Sequence, residues 1–390
     1  MKHLIIRHFG PIEEVDIELN RINLIIGPQS SGKSTVLKVA CFFDWMEKKI
    51  ELTQNPDRFC DAGVFLKNLI GFHRLQGYLK TDTFIRYEND AVFFEYSEKT
   101  KKCSFRWNES KRWDYKRTKI AYIPSERNLV AAIPNWYQVS MNNDNILDFM
   151  QEWEFARKAF SNGIQVLDLQ ATYKYNPANQ EDRIQLPDGQ ELPLTMSSSG
   201  LQALAPLYIM LQYLTSEYFK ETHTNVEQTI LRNNLMEIVD RECNKKSAEK
   251  RQSIVDRIMN PHHTDLFIEE PEAHIFPSTQ KSFVYSLVKM LNNGSKHTCF
   301  IATHSPYIMT AFNNVILAGE TIASSKEKTK LVKNVLSKSQ TIRYGEVAAF
   351  EMKDGKIRSI LDDEFRLISA DAIDTASQEI GNDFDYLLNL

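Results

Sequence analysis

The eight residues Gly27-Pro28-Gln29-Ser30-Ser31-Gly32-Lys33-Ser34 constrain this chain more than any other stretch. Ahead of them runs Ile22-Asn23-Leu24-Ile25-Ile26, short and continuously apolar, as a buried strand should be. Behind them, Ser34 to Phe43 continues with helical character. Strand, glycine turn and helix is the context in which a loop can surround a polyphosphate. Successive backbone N–H groups at a helix N-terminus converge on the anion. Glycine permits the backbone angles and the close approach that a Cβ would block. Lys33 is then placed to bridge β- and γ-phosphates, and the Ser34 hydroxyl to ligate Mg²⁺.

Two further apolar runs end in chemistry. Leu266-Phe267-Ile268 leads into Glu269-Glu270. Phosphoryl transfer needs one acidic group to position Mg²⁺ and a second to orient the attacking water. Glu269 suits the first role and Glu270 the second. The competing reading is a helix start with solvated first-turn acids. Cys299-Phe300-Ile301-Ala302 leads into Thr303-His304-Ser305-Pro306, and a histidine at a strand's C-terminal edge can reach a γ-phosphate as a donor. Ser197-Ser198-Ser199-Gly200-Leu201-Gln202 precedes an apolar helical stretch. Taken alone it is an N-cap, which can also form an anion site.

Composition excludes several classes. The chain is 390 residues long, 42% hydrophobic and 25% charged, as ordinary globular proteins are. A net charge of −4 does not support nucleic-acid binding by the molecule as a whole. No apolar run approaches the roughly 18 residues of a membrane span. The opening Met1–Arg7 does not read as a signal peptide, so a cytoplasmic location is expected. Cys41, Cys60, Cys103, Cys243 and Cys299 are scattered and read as reduced, small hydrophobes. His262, His263 and His274 lack the spacing of a structural zinc site.

Along the chain, Leu4–Ile6 and Val15–Leu19 read as strands around a Gly10-Pro11 turn. Residues from about 60 to 125 alternate aromatic and polar positions, with hairpin turns at Glu88-Asn89-Asp90 and Asn108-Glu109-Ser110. Residues from about 140 to 260 read as mainly helical. Lys353-Asp354-Gly355 signals a hairpin between Glu346–Glu351 and Lys356–Ile360.

The order of the motifs is more specific than any one of them. Gly27–Thr35, Ser198–Gln202, Leu266–Glu270 and Thr303-His304 resemble the Walker A, signature, Walker B and switch histidine of ABC-type ATPase heads. The opening His8-Phe9-Gly10-Pro11-Ile12 looks like the SMC and RecF branch. Ile268–His274 and Ala302–Pro306 resemble more narrowly the OLD-type, or AAA15-type, bacterial ATPases. The resemblance implies an α/β fold: a P-loop NTPase with an ABC-type head, a mixed β-sheet core and an inserted, mainly helical signature lobe. The expected parts are a first ATPase segment (1–135), the helical lobe (136–260), the core with Walker B and switch His (261–345) and a C-terminal hairpin and helix (346–390).

By the same resemblance, Gly27, Pro28, Gln29, Ser30, Ser31, Gly32, Lys33, Ser34 and Thr35 hold ATP. Ser199 and Gly200 contact the γ-phosphate held by the other subunit. Ser34 and Glu269 hold Mg²⁺, and Glu270, His304 and Lys33 carry hydrolysis. Pro271–His274 takes the D-loop position.

Departures from the family pattern are visible. Glu269 stands where Asp is commoner. The Q-loop glutamine is not identifiable, with Gln76 and Gln138 as candidates. Ile123-Pro124-Ser125-Glu126-Arg127 resembles a segment of this branch without a readable role. Pro206 should bend the signature helix. OLD nucleases carry a Toprim domain after the ATPase; the stretch after His304 is short for one. Asp362, Asp363, Asp371 and Asp374 lie in turn-like or helix-like surroundings.

The expected function is therefore an ATP-binding and hydrolysing switch or sensor subunit. It would work as a homodimer through shared ATP sites, or a higher oligomer, in an antiphage system with a separate nuclease or toxin effector. One alternative is a RecF-like DNA-repair ATPase, supported by the basic-aromatic run Arg106–Arg117, which reads first as an exposed hairpin with solvated charges. Another is an ATP-binding scaffold with little turnover.

Overall fold

The computed structural model describes residues 2–133, 135–221, 226–325 and 327–369, with 385, 387 and 388. Its first two strands, β1 (Lys2–Phe9) and β2 (Ile12–Leu19), pair antiparallel around the Gly10-Pro11 turn. The run Ile22–Ile26 becomes β3, with all five residues buried. The glycine turn follows, then α1 (Lys33–Thr53). β4 (Leu79–Glu88), β5 (Val92–Ser97) and β6 (Lys102–Trp107) form an antiparallel meander. β7 (Thr118–Ile123) crosses to the opposite edge of the main sheet from β6.

A lobe then intervenes. It holds α2 (Asn145–Lys158), α3 (Ser199–Thr215), α4 (Val226–Glu242) and α5 (Ala248–Met259). Helix predominates, as read from the sequence, but residues 164–193 depart from that reading. They form a small antiparallel sheet of β8 (Ile164–Gln165), β9 (Thr172–Asn176), β10 (Glu181–Gln185) and β11 (Glu191–Pro193). In β9, Tyr173 and Tyr175 point inward between polar neighbours, the two-residue period of a half-buried strand. Helix α3 runs from Ser199 to Thr215 through Pro206. Ala203–Leu211 are all buried, so packing on every side holds the helix across the missing N–H.

The core resumes with β12 (His263–Glu269), α6 (Pro277–Leu291), β13 (Thr298–Thr303) and α7 (Pro306–Ser324). It ends in the hairpin of β14 (Val347–Lys353) and β15 (Lys356–Ser359). At its turn Asp354 and Gly355 lie at φ of 50° and 73°, as a tight hairpin turn requires.

Eleven strands form one mixed sheet in the order β6-β5-β4-β1-β2-β15-β14-β3-β13-β12-β7. From β14 to β7 its neighbours run parallel. Both faces are covered, which explains the unbroken apolar strands. Ile22, Leu24, Ile26, Leu266, Ile268 and Ile301 pack toward a core shared with α2, α3, α6 and α7. Ile25, Phe267, Phe300 and Ala302 pack toward α1 and the antiparallel wing. The parallel strands β3, β12 and β13 therefore deliver their C-terminal ends, and the residues after them, to one edge.

Candidate nucleotide site

At that edge β3 gives way to the loop. At Gly27 the loop passes close to its neighbour: a Cβ there would sit 2.1 Å from the Met352 carbonyl oxygen of β14. Pro28, Gln29 and Ser30 are exposed, Ser34 is half-buried, and Ser31, Gly32, Lys33 and Thr35 are buried. Gly32, at φ 109°, starts α1 with no side-chain cap. The first N–H groups of a helix lack intrahelical partners, so here they remain available to an anion.

Lys33 lies along the loop. Its Nζ donates to the carbonyls of Gly27 (2.8 Å) and Pro28 (2.7 Å) and lies 3.3 Å from His304 Nδ1. Burial pulls its amine down to about 8, against the opposing pull of Glu270, Glu272 and Glu269. His304 in turn places Nε2 at 3.3 Å from Glu270 Oε1. That contact, more than the charges of Lys33 and Arg127, holds the Glu270 carboxyl below its usual value. Lys33, His304 and Glu270 thus form one continuous line across three segments.

Local structure fixes each member. Ser305 caps α7 by accepting from the Tyr307 and Ile308 amides, and Pro306 takes the first turn, where its missing N–H costs nothing. His304 therefore directly precedes the cap of a helix, pinned further by its own N–H donating to Glu272 Oε1 at 2.5 Å. Glu270 sits at φ 42°, a left-handed conformation that costs a non-glycine residue about 1–3 kcal/mol. Its N–H donates to the Ala302 carbonyl at 2.8 Å, which ties it to β13.

Glu269, one residue earlier, points to the other face. It is buried, accepting from the Tyr122 hydroxyl and, at 3.4 Å, from the Ser125 amide. Ser34 and Glu269 offer a hydroxyl and a carboxylate. Those hard oxygen donors fit Mg²⁺, which is commonly held by one or two protein oxygens with phosphates and water completing the shell.

Ser199 and Gly200 open α3, where Ser198 is the cap, accepting from the Leu201 amide at 3.4 Å. A Cβ on Gly200 would lie 3.3 Å from the His274 carbonyl, so the start of α3 packs on the turn after Glu270. Among the described residues, no hydrogen bond joins Ser199 or Gly200 to the 27–35 loop.

Residues 143–309 match the AAA ATPase domain family, AAA_15, over less than half of the chain. Over those residues the chain is similar to an AAA ATPase domain. The matched residues include Ser198–Gln202, Leu266–Glu270 and Thr303-His304; the 27–35 loop lies outside them and stands on the geometry above. The chain is similar to an SMC head domain from Thermotoga maritima, at 12% identity and TM-score 0.39, covering 92% of this chain and 97% of that one. It is also similar to an ATP-binding cassette of an ABC transporter in its ADP conformation, at 12% identity and TM-score 0.33, covering 94% and 93%. The recombination mediator RecF follows at 9% identity and TM-score 0.31, covering 92% and 97%. These superpositions are loose. No match was found among curated proteins.

Three side chains of the site have contacts that the sequence does not announce. Tyr122 holds Glu269 and Glu272 holds His304. Arg127, from the segment without a readable role, is 1% exposed and donates to the carbonyls of both Glu269 and Glu270. One signal was present: Ala121-Tyr122-Ile123 is another apolar run ending in polar residues, and it lies parallel beside β12. Gln76 and Gln138 are exposed, and it is Ser125, after β7, that meets Glu269.

Proposed function

We propose that this head binds Mg·ATP on Gly27–Thr35 and hydrolyses it, serving as an ATP-dependent switch. The observation that carries the reading is the Lys33–His304–Glu270 line, with contacts of 3.3 Å at each step. The loop and Lys33 hold the phosphates. Glu270, kept ionised by His304, accepts a hydrogen bond from the attacking water and so orients it. His304 donates to the γ-phosphate as charge shifts toward the leaving group. Mg²⁺, held by Ser34 and Glu269, supplies charge neutralisation at the phosphates when bound.

The acting unit we propose is a homodimer in which Ser199 and Gly200 of one chain complete the site of the other. Support comes from exposed apolar side chains on the elements around the site. Met196 is 76%, Phe276 74% and Tyr307 54% exposed, just before the signature, before α6 and after His304 respectively. ATP then favours the dimer because its γ-phosphate gains contacts only there, and hydrolysis removes that preference.

A separate effector, a nuclease or toxin of an antiphage system, would read this switch. Among the tail acids, Asp362 accepts from the Glu364 and Phe365 amides and Asp363 from Tyr344, so both already serve the local turn. Asp371 and Asp374 lie outside the described residues. A DNA-repair ATPase is the alternative reading, and part of the basic-aromatic run behind it is used internally. Arg112 pairs with Glu242 at 2.9 Å and lies over Trp107 and Trp113, while Trp113 and Tyr115 pack on the cluster around Leu235 and Val239.

Complementation tests the shared site. Lys33→Ala and a Ser199→Arg/Gly200→Asp double variant should each be inactive alone, yet recover ATPase activity when mixed, because a mixed dimer has one intact site. Absence of recovery despite demonstrated subunit exchange counts against shared sites.

A further inference from the structure

We propose that Arg127 is a positioning residue that couples the first turn of the signature helix to the conformation of Glu270; this rests on the ATPase reading above. The guanidinium is 1% exposed and reaches three segments at once. Its Nη1 donates to the Glu269 carbonyl at 2.9 Å and the Pro124 carbonyl at 3.3 Å. Its Nη2 donates to the Glu270 carbonyl at 2.8 Å, and its Nε to the Ala203 carbonyl of α3 at 3.4 Å. The ends of β7 and β12 and the start of α3 are thus joined through one planar group.

Each partner is a backbone carbonyl, so the arrangement reads conformation. Glu270 is left-handed at φ 42° and is held on both sides: its N–H by Ala302 and its carbonyl by Arg127. Ala203 is four residues beyond Ser199, the position proposed to meet the partner's nucleotide. A displacement of that turn pulls on the guanidinium, and the guanidinium pulls on the residue that aims the attacking water. Burial lowers the Arg127 pKa only to about 10, with Glu272, Glu270 and Glu269 opposing the shift, so it stays charged at neutral pH. Only arginine offers several donors in a fixed fork; lysine keeps the charge and loses the geometry.

The test compares Arg127→Lys and Arg127→Gln with wild type in the full chain. Arg127→Lys is expected to lower kcat at least about tenfold while the ATP Kd stays within about twofold. Added to Glu270→Gln it should lower the rate no further than about twofold, because both changes disable one step. A kcat within twofold of wild type overturns the proposal. So does parallel loss of kcat and ATP affinity, the sign of a merely structural role. Hydrogen exchange supplies a readout independent of turnover. Arg127→Lys should speed exchange of the Glu270, Ala273 and Gln202 amides together while α1 is unchanged, and unaltered exchange at either segment overturns the coupling. Wild type without ATPase activity would sink the ATPase reading alone, leaving the exchange result to decide the coupling.

Discussion

Lys33 is a cation that its own fold partly discharges. Burial brings its amine to about 8, and the carboxylates of Glu270, Glu272 and Glu269 recover only part of the loss. A nucleotide polyphosphate favours the ammonium form, so binding above pH 8 must take up a proton. The ATP Kd should therefore be level below pH 8 and weaken above it, by up to about tenfold per unit. Titration calorimetry from pH 7 to 9.5 at fixed Mg²⁺ reads this directly, and a Kd unchanged to pH 9.5 would contradict it. Glu270 and His304 could be singled out in the sequence because each follows the end of an apolar run, and Lys33 because it closes a glycine-rich loop between strand and helix. Arg127 and Glu272 were not, because they act on backbone groups, and no residue pattern marks a side chain whose partners are carbonyls or amides elsewhere in the chain.

At the level of elements, β3, β12 and β13 could be read because burial on both faces leaves them wholly apolar. The Asp354-Gly355 hairpin could be read from its turn. Its place between β2 and β3 could not, since strand pairing across more than 300 residues leaves no local trace. The sheet of residues 164–193 was missed because β8 and β11 hold only two and three residues. That too few residues show alternation is a limit of period-reading itself. The distant pairing has a consequence at Gly27, where a Cβ would lie 2.1 Å from the backbone of Met352. Backbone cannot step aside as a side chain can. Gly27→Ala should lower stability by about 1–3 kcal/mol and abolish ATP binding, because β14 or the loop must move. Gly345→Ala, with nothing within 4 Å of its added Cβ, is the matched control and should stay within about 0.5 kcal/mol of wild type. Thermal melts and ATP binding on both variants decide the matter, and wild-type ATP affinity in Gly27→Ala would show that the close approach is unimportant.

Across the whole molecule, one sheet carries two cores, and the nucleotide loop, the Glu270 turn and His304 meet at one edge of it. The signature helix belongs to the opposite core from α1. That division is the physical reason to look to a second chain for the contacts of Ser199 and Gly200. No described helix is long and apolar enough to cross a membrane. The net charge of −4 does not support nucleic-acid binding by the molecule as a whole, and Arg112 and Trp113 are used internally. In the proposed function, hydrolysis at the Lys33–His304–Glu270 line would drive the switch. Phosphate release from Mg·ATP by wild type and Glu270→Gln, measured side by side with ATP binding, tests it most directly. The expected result is turnover by wild type and a rate lower by about two orders of magnitude or more in the variant, with ATP still bound. Equal rates in the two proteins would contradict it.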